Sequence, residues 1–99
     1  MRHNSACQKQ SGVSQSVLMG TLRGQFPNNP ALKTHLLCMG VRMGYMDGNG
    51  NFRENAIRRD LSSRFPPAKV DRLVRTCLIR RNSPEQSAYE SIRCISTNA

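Results

Sequence analysis

The sequence contains no Trp, only three Phe and two Tyr, and only six acidic residues against fifteen Lys and Arg. A core without large aromatics must be packed by Leu, Ile, Val and Met, and five Met residues suit an adaptable interior. No apolar run approaches the roughly eighteen residues that span a bilayer, which argues against a transmembrane helix or stable membrane insertion. Met1 to Ala6 lacks the apolar h-region of a signal peptide, so if the protein is secreted the chain is expected to be its mature part. There is no Cys-x-x-Cys pair, and His3 and His35 sit at no recurrent ligand spacing, so neither zinc nor any other metal or cofactor is expected. The carboxylates stand mostly alone among Arg residues, and no nucleophile, base or acid set is evident. Enzymatic function is therefore not expected.

What is present fits one domain, residues 1–99, with 37% hydrophobic content and a formal charge of +9. The basic residues run from Arg2 to Arg93 and are densest between Arg53 and Arg81, where Glu54, Asp60 and Asp71 are interspersed. That distribution reads as a solvated helical surface, and nucleic acid is not expected as a partner. The rival reading is a cationic interaction protein that binds anionic lipid or nucleic acid, with affinity that falls steeply with salt. A third is a helical structural protein with a filled core. Four Cys, at 7, 38, 77 and 94, favour disulfides and an oxidising compartment, and spacing alone leaves three pairings open.

Along the chain, Ser14 to Leu22 reads as a short helix with a Ser start. Asn29-Pro30 supplies an N-cap and first-turn Pro for a helix to about Met43, apolar over much of its circumference, with Gly40 and Gly44 at its end. Asp47 to Asn51 is a turn, and the Asn51 and Glu54 pair predicts a capping box opening a helix through Ile57 and Leu61. The same loop matches the first ligand positions of a calcium-binding EF-hand. Phe52 stands where that loop needs Gly, and Arg58 where it needs Glu, so the site fails. After Pro66-Pro67, Val70, Leu73, Val74, Cys77 and Leu78 recur at helical spacing, and Arg80 and Arg81 are expected to complement that helix's C-terminal dipole. Ser83, Pro84 and Gln86 start a last helix carrying Ala88, Ile92 and Ile95. Nothing alternates with period two. The expected fold is all-α, a compact bundle of five to six short helices.

Three segments carry a family resemblance: CQKQSGVSQ at Cys7, LKTHLLCMGVRMGYMDGNGNF around Cys38, and SAYESIRC ending at Cys94. Their order and separation resemble the insect odorant-binding proteins, the pheromone and general-odorant-binding family, over nearly the whole chain. That family's usual six Cys would place two more at Thr34 and Glu85. Loss of this matched pair resembles the family's four-cysteine "Minus-C" subgroup. The resemblance implies bridges from Cys7 to Cys38 and from Cys77 to Cys94. It also implies that the helices bearing Thr34 and Glu85 part more readily than in six-Cys relatives, giving a more adaptable pocket.

The resemblance further implies a hollow core that holds and carries a small apolar ligand such as an odorant or pheromone. It implies a secreted protein of extracellular fluid, a monomer or weak dimer that serves an olfactory receptor. Candidate wall residues are Met39, Met43, Met46, Ile57, Leu61, Val70, Leu73, Val74, Tyr89, Ile92 and Ile95, with about half expected to touch ligand. Tyr45 and Tyr89 are candidate hydroxyl partners for a polar head. His35 is a weak candidate for a pH switch. With six residues before Cys7, the first wall of the pocket is expected to be short.

Overall fold

The computed structural model describes residues 2–99; Met1 lies outside it, as do the side chains of Arg2, His3 and Asn4. It contains α1 (Arg2–Ser11), α2 (Gln15–Thr21), α3 (Pro30–Arg42), α4 (Glu54–Ser62), α5 (Pro67–Cys77) and α6 (Pro84–Asn98). Three starts follow directly from side-chain capping of otherwise unpaired amides. Ser14 Oγ accepts from Val17 N at 3.2 Å, Asn29 Oδ1 from Leu32 N at 3.1 Å, and Ser83 Oγ from Gln86 N at 3.0 Å. Pro30 and Pro84 occupy first-turn positions that need no donor.

Two boundaries differ from the sequence expectation. Asn51 does not cap α4: its backbone and side-chain N–H groups both donate to the Asp47 carboxylate, at 2.9 Å each, and Arg53 is the N-cap without a side-chain bond. The turn captures the capping residue because Asp47 offers two oxygens close by in sequence, and these contacts hold its carboxyl below the usual range. The second difference lies at the end of α5, which stops at Cys77 with Leu78 as C-cap. Arg80 and Arg81 fall beyond the last turn, and Arg80 Nη2 instead donates to Asn49 O at 3.1 Å.

α3 packs on α6, α1 on α3, α5 on α6 and α4 on α5. Cys7–Cys38 joins α1 to α3 and Cys77–Cys94 joins α5 to α6, with Cα separations of 5.6 and 5.4 Å. This is the pairing the family resemblance implies. Two apolar clusters result. One gathers Val13, Leu32, Leu36, Met46, Ala88 and Tyr89; the other gathers Ile57, Leu61, Val70, Leu73, Val74 and Cys77. Tyr45 and Phe52 touch both. On the surface Arg58 ties α4 to α5, with Glu54 at 2.8 Å and Asp71 at 2.6 Å. Such exposed pairs are screened by solvent and contribute little to stability.

α3 ends in a left-handed turn at Gly44, whose φ is 80°. Gly44 N donates to Val41 O at 3.1 Å and Tyr45 N to Gly40 O at 2.8 Å, so these two carbonyls of the last turn are satisfied as the chain reverses. An added Cβ would meet nothing within 4 Å, so any cost of substitution is conformational. We expect Gly44→Ala to lower unfolding free energy by about 1 to 2 kcal/mol, and Gly44→Asn by less, in urea titrations.

Candidate functional site

The reversal at Gly44 brings Tyr45 and Met46 back beneath α3, where Met46 pairs with Phe52 in a lone antiparallel bridge. Asp47 N bonds Asn51 O at 2.9 Å and Arg53 N bonds Tyr45 O at 2.8 Å, which fixes this short two-sided segment. Gly40 allows the close approach: a Cβ there would stand 3.3 Å from Met46 Sδ. Between this segment, the second half of α3, α4 and the second half of α6 lies a cavity of about 450 Å³, within the range of small-molecule sites.

Its walls draw on both apolar clusters. Met39 comes from α3 and Met43 is its C-cap, Ile57 and Leu61 come from α4, and Ile92 and Ile95 from α6, with Met46, Phe52, Phe65 and Leu78 between them. Met39 belongs to neither packed cluster, and Met43 is 48% exposed at the opening. Thioether side chains that face open space rather than fixed neighbours can repack around differently shaped guests.

Val70, Leu73, Val74 and Tyr89 lie elsewhere. The three α5 residues are buried against Ile57, Leu61 and Cys77 and do not border the cavity. The stripe on α5 meets α4 and α6 across filled space. Tyr89 belongs to the other cluster, and its hydroxyl donates to Phe26 O at 2.6 Å, so it serves the backbone rather than a guest. His35 is buried on α3, away from the cavity. Burial pushes its imidazole below the ordinary histidine range, against a raising hydrogen bond with the Cys7 backbone.

Three polar side chains reach the wall from one side: Tyr45, Asp60 and Arg64. Asp60 lies on the same stripe of α4 as Ile57 and Leu61, and Arg64 follows in the turn just past the helix end. Arg64 Nη2 donates to Asp60 Oδ2 at 2.8 Å. Tyr45 is pushed above the usual phenol range, by burial first and then by the charge and hydrogen bond of Asp60, with Arg64 opposing. Ser91, also on the wall, turns its hydroxyl to Ala88 O at 3.0 Å. Among the described residues no three His, Cys, Asp or Glu side chains gather as a metal site, and no helix is long and apolar enough to cross a membrane.

Comparison with known proteins agrees with this architecture. The model of the PBP/GOBP family matches residues 1–98. The B1 protein of Tenebrio molitor is 26% identical over 97 residues, covering 96% of this chain and 75% of that protein. The THP12 carrier protein from the yellow meal worm is 31% identical with a TM-score of 0.76, covering 94% of this chain and 87% of the other. A Locusta migratoria odorant-binding protein shares the fold with a TM-score of 0.81 at 21% identity, covering 98% and 76% of the two chains.

Proposed function

The chain belongs to the PBP/GOBP family, of the four-cysteine Minus-C type, and on that premise we propose that it binds small hydrophobic molecules, such as odorants or pheromones, in the cavity between α3, α4 and α6 and carries them through extracellular fluid. One observation carries the reading: an unfilled space of about 450 Å³ bordered by Met, Ile, Leu and Phe side chains from both clusters. An apolar guest entering such a space removes its own surface and that of the walls from water, which is the main source of affinity available here. The likeness to the meal-worm carrier supports the same role. The two disulfides support an oxidising, extracellular setting.

Filling the cavity tests the proposal. Met39 borders the space without belonging to either cluster, so a larger side chain there occupies the site at little cost to packing. Met39→Trp is expected to lower affinity for an apolar fluorescent probe by about tenfold or more, with helical content unchanged. Probe affinity equal to that of the wild type counts against the site. Binding that survives the filled cavity and falls steeply with salt supports action through the cationic surface instead.

A further inference from the structure

Polarity in the cavity wall is concentrated where α4 meets Tyr45, and the partners of each charged group there limit what a ligand's head can find. Arg64 is already engaged with Asp60 at 2.8 Å. The next cation, Lys69, donates from Nζ to Ala99 O at 2.7 Å and lies 4.9 Å from the centroid of the Phe65 ring, a wall residue. Both positive groups beside this rim therefore have partners. Asp60 differs: a carboxylate offers about four acceptor positions, and Arg64 and Tyr45 leave some of them open.

We infer that Asp60 is a specificity-determining residue of the cavity, accepting a hydrogen bond from a hydroxyl-headed ligand and disfavouring carboxylate-headed ligands of the same chain length. The inference rests on the carrier reading above and names the ligand class for it. A long-chain alcohol brings a donor to Asp60 and leaves its pair with Arg64 intact. A fatty-acid anion brings no donor and approaches a like charge, so the Arg64 donors that Asp60 leaves open attract it only against that charge. The net charge of +9 attracts anions through solvent but does not offer them an unpaired cation at this rim. Because the Asp60 and Arg64 side chains are 42% and 59% exposed, the discrimination is moderate.

The test compares dodecanol with dodecanoate as displacers of N-phenyl-1-naphthylamine, in low salt at about pH 8, where the acid is ionised. Dodecanol is expected to displace the probe from the wild type at a concentration roughly fivefold to tenfold lower. Asp60→Asn removes the like charge and frees Arg64, so the preference is expected to vanish or invert. Arg64→Gln removes the countercharge and is expected to widen it. Equal or tighter binding of dodecanoate by the wild type overturns the inference, as does an unchanged ratio in folded Asp60→Asn. Should that variant fail to fold, the wild-type ratio decides alone. If neither compound displaces the probe, the carrier reading itself fails and the inference falls with it.

Discussion

Replacing Cys7 and Cys38 with Ser is expected to lower the thermal midpoint by roughly 15 to 25 °C, with α1 losing amide protection first. The two Cys are 31 positions apart, and opening a loop of that size returns about 3.5 kcal/mol of chain entropy to the unfolded state. The folded state has little with which to resist. α1 is polar nearly throughout, and among its described side chains Cys7 is the buried hydrophobic one. Without the bridge, α1 has almost no apolar face by which to stay on α3. Cys77 and Cys94, 17 positions apart, join two helices that pack together in any case, so the corresponding double Ser variant is expected to melt cooperatively after losing about 3 kcal/mol. Calorimetry with hydrogen exchange distinguishes the two. Equal and global loss of protection in both variants would contradict a weak non-covalent hold on α1.

Leu73→Ala is expected to cost about 3 kcal/mol of stability while leaving ligand affinity near the wild-type value. Leu73 is 1% exposed on α5 and packs with Ile57, Leu61 and Val70, so truncation loses burial and leaves a void that its neighbours only partly fill. It does not border the ligand cavity. Met43→Ala reverses the pattern: at 48% exposure it costs less than about 1 kcal/mol, but it removes part of the cavity opening. Urea titration and probe displacement on the same two variants separate packing from binding. A large fall in affinity for folded Leu73→Ala would mean that the α5 stripe faces ligand after all.

The capped helices were the most legible part of the sequence, because Ser14, Asn29 and Ser83 each act within three residues of themselves. α1 was hidden. A helix with no apolar stripe gives no periodic signal, and what holds it is a bond to Cys38, far along the chain. The start of α4 was misread for a related reason: Asn51 had two possible partners, and Asp47 had the better-placed acceptors. At the site, periodicity correctly marked which residues turn inward but carried no information about what they would meet. Leu61 borders open space, while Leu73, just as regular in its spacing, meets other side chains. Asp60 and Arg64 carry a helical spacing in the sequence, but charged residues in a basic stretch read first as solvated.

Thr34 lies on α3 and Glu85 on α6, the two positions where the family resemblance puts a third covalent tie, and the two helices pack on each other. Here Leu32 and Ala88 are fully buried in the apolar cluster the two helices share, and the Tyr89 hydroxyl fastens α6 to the carbonyl of Phe26 just ahead of α3. A disulfide holds with the same bond at every temperature in an animal's range. Buried apolar surface does not, because its stabilisation weakens on cooling. Where the resemblance puts a fixed rivet, α3 and α6 are held by a temperature-dependent clasp. The walls that flank its cavity are therefore expected to loosen more on cooling than those of a relative with a third bridge.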